Sequence, residues 1–301
     1  MAIGVRSPFF IPHTQSGGAS ATLSLTVNST LVYTITKQTG TNFLADISEL
    51  VRDYIEPTYD GILDIDSPNV ATVSYSVQFY DANLLAVGSP KTGSSPYKAY
   101  DGYSYFSEGN NFTFNNKVLL SESTVWLPDN TASTFYKITS DTLSTVAVGT
   151  SATTVEGITI KRHECSKYTP IKVVFVNKFG VPQELYFFGK TTESSTSSKE
   201  SYKANIIDSS GAINSQKHQI RSFDAQGKTR YTLNTGLVGE EYNEFVRELM
   251  LSEQVWMHFD GVIRPVMPIT SDVQFRTSLN DKMVEYTVEF EQANDLIANV
   301  R

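Results

Sequence analysis

The clearest pattern of apolar and polar positions lies between residues 237 and 290, near the carboxyl end of the chain. A helix is predicted at about 240–251, because apolar side chains recur there at the spacing of one helical face: Tyr242, Phe245, Val246, Leu249 and Met250. The pattern then changes to alternation, interrupted by Asp260-Gly261, the pair that a tight hairpin turn favours. A final strand is predicted to pack against the helix through alternating apolar residues: Val284, Tyr286, Val288 and Phe290.

Shorter patterns predict the elements of the amino-terminal half. Residues 21–35 alternate around Asn28-Ser29, which indicates a hairpin, and residues 73–79 alternate as a further strand. A second amphipathic helix is predicted at about 43–55, capped by Thr41 or Asn42, with a stripe of Leu44, Ile47, Leu50, Val51 and Tyr54. Residues 1–20 show no period, and we expect an extended arm that either frays or lies across a neighbouring subunit.

The middle of the chain has a different character. Residues 88–109 are rich in Gly, Ser, Pro and Tyr without a sustained period, which predicts a long loop. The low-complexity stretch 140–160 predicts short strands or a hairpin that extends from the body. Continuous apolar runs at 171–176 and 184–188 predict strands covered on both faces. Residues 191–201 are a Ser/Thr/Lys/Glu stretch, interpreted as a linker-like loop.

Together these elements predict a mainly β fold with two amphipathic helices, built as β-sandwich or barrel modules. The arm of residues 1–20 precedes an amino-terminal β-rich domain at 21–160 and a carboxy-terminal β-rich domain at 161–301. The boundary is placed near Lys161, because each half contains strand pairs, one helix and a following long strand.

Composition narrows the class of protein. The 301 residues are 40% hydrophobic and 12% aromatic, which is enough to bury a core. The net charge of −8 argues against direct nucleic-acid binding, which needs clustered Lys and Arg. No apolar run reaches the ~18 residues of a transmembrane helix, so membrane insertion is not expected. The single cysteine, Cys165, cannot form an intramolecular disulfide.

No set of residues predicts catalytic or metal chemistry. The histidines lie on separate predicted elements without metal-ligand spacing: His13, His163, His218 and His258. His163, Glu164 and Cys165 are adjacent, but neighbouring side chains on a strand point to opposite faces. The acidic residues near Gly61 do not fit the spacing of a calcium loop: Asp60, Asp64 and Asp66. We therefore predict a protein without a cofactor or an active site, and an enzyme acting on glycan is the least favoured class.

An aromatic-rich stretch at 97–114 is the strongest candidate for a binding surface. Its candidate contact residues are Tyr97, Tyr100, Tyr103, Tyr105 and Phe106. Aromatic faces beside amide and carboxylate acceptors hold sugars, and they also anchor protein interfaces. Three interpretations stay open: the rings are core residues of flanking strands, they form a subunit interface, or they bind glycan.

Three stretches of the carboxy-terminal part resemble structural proteins of tailed-bacteriophage virions: KYTPIKVVFVNKFGVPQELYFFGKTTES at 167–194, YNEFVRELMLSEQVWMHFDG at 242–261, and FRTSLNDKMVEYTVEFEQAND at 275–295. The resemblance implies a module of tail-tube-like, distal-tail or neck-tier type, in which a β-sandwich with a flanking helix assembles into a ring. It implies a non-enzymatic virion protein, synthesised in the host cytoplasm, with copies of itself and neighbouring tail or neck proteins as partners. The alternative is a receptor- or carbohydrate-binding tail component that uses the aromatic residues of 97–114.

Overall fold

The computed structural model describes residues 2–62, 69–93, 96–109, 118–120, 123–139, 142–164, 167–275 and 283–297. Across these residues the fold is mainly β, as predicted, with two α-helices and five sheets. The arrangement is sandwich-like, and the described strands close no barrel. Two bodies follow each other along the chain: the first body is the described residues within 2–109, and the second body is the described residues within 118–297.

The described strands of the first body are β1 (Ala2–Gly4), β2 (Phe10–Thr14), β3 (Ser20–Val27), β4 (Thr30–Gln38), β5 (Asn42–Asp46), β6 (Val70–Tyr80), β7 (Ala86–Thr92) and β8 (Tyr97–Tyr100). Six of them form one sheet in the order β1–β8–β6–β3–β4, with β7 also paired to β6. Strands β2 and β5 form a separate ribbon, and one short helix, α1 (Ser48–Arg52), follows β5. The predicted hairpin of residues 21–35 is confirmed as β3–β4, and Asn28 and Ser29 at its turn both have positive φ.

The first predicted helix is wrong in its extent. Residues 42–46 form β5 and pair with β2, so neither Thr41 nor Asn42 caps a helix. The helical stripe that starts at Leu44 overlaps a strand alternation of Phe43 and Ala45, and the strand forms: Phe43 and Ala45 are buried while Leu44 is exposed. The helix begins only after Asp46, whose carboxylate accepts hydrogen bonds from the backbone N–H and the hydroxyl of Ser48.

Two further segments of the first body differ from their predictions. Residues 2–14, expected as an extended arm, contribute β1 and β2 to this chain's own sheets, and Ile3 and Ile11 are buried there. Residues 88–109 are not one long loop, because they contain most of β7, all of β8 and a 3₁₀ turn at Phe106–Glu108. Strand β7 carries Gly88 and Pro90, which edge strands tolerate, and β8 is too short to show a period.

The second body contains β9 (Thr124–Pro128), β10 (Ser133–Thr139), β11 (Thr142–Val148), β12 (Thr154–Val155), β13 (Ile158–His163), β14 (Ile171–Val176), β15 (Pro182–Phe187), β16 (Thr192–Lys203), β17 (Ile220–Asn234), α2 (Tyr242–Leu251), β18 (Val255–Phe259), β19 (Val262–Pro268) and β20 (Thr287–Gln292). A seven-stranded sheet has the order β15–β14–β18–β19–β20–β17–β16. Strands β10–β11 form a hairpin, and β12–β13–β9 form a three-stranded sheet. The predicted turn between β18 and β19 is confirmed, with positive φ at Asp260 and Gly261.

The core of the second body lies between the seven-stranded sheet, the smaller sheets and α2. The predicted packing of helix against strand is confirmed, because one buried cluster contains both sets of side chains: Tyr242, Phe245, Val246 and Leu249 with Val284, Tyr286, Val288 and Phe290. The same cluster contains apolar side chains from β9, β10, β11 and β13. Side chains before and after Lys161 therefore contribute to one buried cluster.

The interpretation of residues 191–201 as a linker-like loop is wrong. They lie almost entirely in β16, which pairs in antiparallel register with β17 from Thr192–Thr232 to Lys203–Ile220. All twelve residues of β16 are exposed. An amphipathic period arises where one face of a strand is buried, so a strand with both faces in solvent carries no period for sequence reasoning to detect.

Candidate functional site

The five aromatic candidate residues occupy different environments. Tyr97 belongs to the core of the first body, where its ring stacks on Tyr75 with 5.9 Å between centroids. Tyr100 and Tyr103 are also buried, Tyr105 is half-buried, and Phe106 is fully exposed. The rings therefore do not form one surface. Phe112 and Phe114, from the same aromatic stretch, lie outside the described residues.

Tyr100 is the centre of an apolar contact between the two bodies. Its buried partners all come from the second body: Leu119, Tyr136, Ile138 and Val181. Ala2 and Val70 of the first body pack against the same cluster. Of the three interpretations of the aromatic stretch, burial in a core thus describes Tyr97 and Tyr100.

Beyond Tyr100, the contact between the bodies becomes polar. We call this contact the seam: Arg6 and residues 101–108 on one side, α2 and the turn of residues 177–181 on the other. The backbone N–H of Tyr103 donates to the Lys178 carbonyl at 2.8 Å. Gly180 has φ +77°, and a Cβ built on it would lie 2.6 Å from the backbone nitrogen of Gly102. This approach requires glycine for both conformation and space.

Charged side chains connect the two sides of the seam. The Tyr105 hydroxyl donates to Oε1 of Glu244 on α2 at 2.7 Å. Lys178 Nζ lies 2.9 Å from Glu108 Oε1 and 5.0 Å from the centre of the Tyr105 ring. These contacts are charge-assisted hydrogen bonds and a cation–π contact, which fix geometry more than simple apolar burial does.

Arg6 makes the corresponding contacts at the carboxyl end of α2. Its Nη2 donates to the Leu251 carbonyl at 3.1 Å, which satisfies one of the helix's terminal carbonyl groups. Its guanidinium carbon lies 4.9 Å from the centre of the Tyr103 ring. Beside it, Arg52 of α1 donates to both carboxylate oxygens of Glu253 at 2.7 and 2.6 Å.

Two carboxyl groups are buried in the seam. Glu248 is fully buried on α2, and burial raises its pKa to about 8. Asp101 is 5% exposed, and burial raises its pKa to about 6, although Arg6 and Arg52 oppose the shift. Asp101 was expected only as an acceptor beside the aromatic residues, and the burial of both groups was not predicted. Glu248 had a detectable signal, since it lies three residues after Phe245 on the otherwise apolar helix stripe.

A second contact between the bodies lies on the opposite face of the seven-stranded sheet. The ring of Tyr59 packs against Trp256 with 5.6 Å between centroids, and its hydroxyl shares a hydrogen bond of 2.8 Å with Nε2 of His258. Burial lowers the pKa of His258, with the nearby Lys172 acting in the same direction. Tyr59 and His258 are 199 residues apart in sequence, so no local spacing could have predicted their pairing.

The β16–β17 hairpin is the other candidate functional feature. Strand β20 pairs with β17 only over residues 230–234. Before Arg230 the ladder partner of β17 is β16, and one further backbone hydrogen bond runs from Leu296 N–H to the Gly227 carbonyl at 2.9 Å. The ladder continues beyond the strands, since Ala204 N–H donates to the Gln219 carbonyl at 2.7 Å. Large apolar side chains are exposed along this distal part: Tyr202, Ile207, Ile213, Ile220 and Phe223.

A long two-stranded hairpin with exposed apolar side chains is unfavourable in an isolated subunit. A two-stranded hairpin without further support is only marginally stable in water. Clustered exposed apolar side chains mark surfaces that contact another molecule. Tyr202 and Phe223 lie close together, with 5.8 Å between ring centroids, so the apolar surface is contiguous at that point.

No protein-family model matches the chain, and no curated protein is similar to it in sequence. Among the described residues, no three His, Cys, Asp or Glu side chains are placed to hold a metal ion together. In the same part of the chain, neither helix has the length and apolar character needed to cross a membrane.

Proposed function

We propose that the protein is a non-enzymatic structural component of a bacteriophage virion, which assembles as an oligomeric ring in the tail or neck. The observation that best supports an assembly role is the β16–β17 hairpin, with every residue of β16 exposed. The virion assignment rests on the resemblance of residues 167–194, 242–261 and 275–295 to structural proteins of tailed phages.

The edge of β16 supports contact with another protein. Strand β16 is last in the order of its sheet, so its outer edge pairs with no described strand. Twelve residues of extended backbone leave a row of N–H and C=O groups free to pair with a further chain. Natural proteins cover or interrupt such edges, and a subunit within an assembly covers them with its neighbours.

The distribution of charge favours another copy of this chain as the partner. Residues 199–221 carry four basic and two acidic side chains, a net charge of +2. Since the whole chain carries −8, the remaining residues carry −10. A basic hairpin end on an acidic protein is attracted to neighbouring copies, and salt weakens that attraction.

The glycan-binding alternative has less support. A sugar needs an accessible aromatic face, and three of the five candidate rings are buried: Tyr97, Tyr100 and Tyr103. Phe106 is fully exposed, but one ring without neighbouring rings provides a small platform. The arrangement therefore favours assembly over carbohydrate recognition.

The assembly proposal is tested by removing the distal hairpin. Replacing residues 199–225 with Asn-Gly closes a tight turn between Ser198 and Gln226, which are already paired. We expect the wild type to form oligomers in light scattering after size-exclusion chromatography, and the shortened protein to elute as a monomer with an unchanged circular dichroism spectrum of the body. The control is Ser195→Ala with Ser197→Ala, two exposed changes on the retained part of β16, which should still assemble.

The virion assignment needs a separate test. We expect electron microscopy of the particle that carries this protein to show a ring whose subunit density fits the second body. A wild-type protein that stays monomeric at high concentration, even with the other particle proteins added, contradicts the assembly role. Absence of the protein from purified particles contradicts the virion role alone.

A further inference from the structure

The seam contains a buried acid that lacks the hydrogen bonds a carboxylate requires. Glu248 is 0% exposed, and its Oε2 accepts one long hydrogen bond, 3.4 Å from the backbone nitrogen of Lys178. Its Oε1 has no hydrogen-bond partner among the described residues. An ionised carboxylate in such a place is costly, whereas the neutral acid loses much less on burial.

The charged groups around Glu248 come from both sides of the seam, and most of them are acidic or already engaged. Glu244, one turn earlier on α2, accepts from Tyr105 and pairs with Arg247. Glu108 lies on the first body's side of the seam and forms an ion pair with the ammonium group of Lys178. The nearest cation is thus shared with another carboxylate, and a charge on Glu248 adds to the negative charge of Glu244 and Glu108.

The remaining neighbours do not compensate a negative charge either. The Tyr103 hydroxyl makes no hydrogen bond to Glu248, and burial raises the pKa of Tyr103, with the nearby charge of Glu248 acting in the same direction. Arg6 is directed to the Leu251 carbonyl, the Tyr103 ring and Glu253. Asp101 lies in the same contact and interacts with Arg6, Arg52 and Glu253.

We infer that the seam is a protonation-dependent joint: it closes over Glu248 as a neutral acid, and ionisation of Glu248 loosens the contact of residues 101–108 with α2 and the 177–181 turn. The geometry explains the coupling. Opening the seam lets water solvate the carboxylate, while the closed seam keeps it beside Glu244 and Glu108. The open form therefore releases a proton that the closed form retains.

The direction and range of the pH effect follow from this difference. In the closed seam the pKa of Glu248 is about 8, and in the solvated open form it returns toward its ordinary value of 4.5. Between these values the closed form binds one more proton, so the ratio of open to closed molecules rises about tenfold per pH unit. Above about pH 8 both forms are ionised and the ratio becomes constant. Asp101, with a pKa of about 6, adds a similar effect only at lower pH.

Hydrogen–deuterium exchange on the full-length protein tests the joint. After correction for the intrinsic pH dependence of amide exchange, we expect the opening of residues 101–109 and 177–181 to increase about tenfold from pH 6.5 to 7.5 and to level off near pH 8. Glu248→Gln keeps a neutral polar group of the same shape, and it should abolish this increase. The matched control, Glu289→Gln at an exposed position of β20, should retain it.

Two outcomes overturn the inference: opening that does not change with pH in the wild type, or an increase that survives Glu248→Gln. If Glu248→Gln does not fold by circular dichroism, Glu244→Gln provides the second test. Its amide oxygen can still accept from Tyr105, but a like charge is removed, which lowers the pKa of Glu248. The levelling point should then move to lower pH, and an unchanged levelling point contradicts the inference. These outcomes do not depend on whether the protein forms a ring.

Discussion

The two ends of the seven-stranded sheet differ completely in burial, although the same backbone pairing continues across them. At one end, every residue of β15 and of its neighbour β14 is buried except the half-buried Glu184 and Lys172. At the other end, every residue of β16 is exposed. Hydrogen bonding between strands therefore decides where a strand forms, while burial decides how much that strand stabilises the body.

The difference has an energetic consequence. Fully burying a Val, Leu, Ile or Phe side chain contributes about 1.5–3 kcal/mol relative to leaving it in water. Val173 and Phe175 of β14 obtain this contribution in the isolated chain. Tyr202 and Phe223 of the hairpin do not, because each is nearly half exposed. We propose that the hairpin obtains its stabilisation on assembly.

The largest expected change in the free energy of unfolding comes from a substitution in the buried core. Phe245 of α2 is 1% exposed in the second core, so Phe245→Ala should lower the free energy of unfolding by about 3–5 kcal/mol. Urea unfolding followed by circular dichroism measures the change. Val262→Ala on β19, where the side chain is half exposed, is the control and should change it by less than about 0.5 kcal/mol. Equal losses in both variants would remove the distinction between the core and the surface of this body.

The next effect tests the seam through Gly180, at the turn between β14 and β15. An alanine there adopts an unfavourable positive φ and meets the backbone of Asp101 and Gly102 at 2.6–2.7 Å. We expect Gly180→Ala to cost about 2–5 kcal/mol, the sum of backbone strain and overpacking. Residues 101–108 should also lose amide protection. A stable variant with a fully protected seam would show that the contact is not tight.

The sequence was most informative where burial imposed a single, long period. The α2 stripe and the alternating apolar residues of 284–290 were predicted as buried positions because they face the core, although β20 begins only at Thr287. The Asp260-Gly261 turn was predicted from its residue types, which accept positive φ. Strand β16 was missed because nothing buries it. Residues 42–46 were misassigned because two patterns overlap there: Leu44 starts a stripe of helical spacing, while Phe43 and Ala45 alternate as in a strand, and the strand forms.

The contacts of the candidate site were harder to predict from the sequence than the elements of the fold. Contacts of the seam join residues that are far apart in the chain, such as Arg6 with Leu251 and Tyr105 with Glu244. No local pattern encodes such pairs. Glu248 could have been singled out, because a charged residue beside the apolar stripe of a helix indicates a buried charge.

A smaller effect separates backbone strain from packing. Gly261 has φ +73°, like Gly180, but a Cβ built on it meets no atom within 4 Å. Gly261→Ala should therefore cost only the strain, about 1 kcal/mol, measured by the same urea unfolding. The expected difference from Gly180→Ala is the contribution of the close approach across the seam. If both alanine variants lose the same free energy, the approach of Gly180 to Gly102 contributes nothing.

The smallest effect on the isolated subunit is expected at the exposed end of the sheet. Tyr202→Ala with Phe223→Ala removes an aromatic pair that belongs to no buried cluster, so the free energy of unfolding of the body should change by less than about 0.5 kcal/mol. The same double variant should weaken assembly, measured by light scattering, because the rings are then absent from the contact between copies. The control, Ser195→Ala with Ser197→Ala, should alter neither quantity. A double variant that loses several kcal/mol in the monomer would mean that the hairpin belongs to the core of the subunit, and the contrast between the two ends of the sheet would then fail.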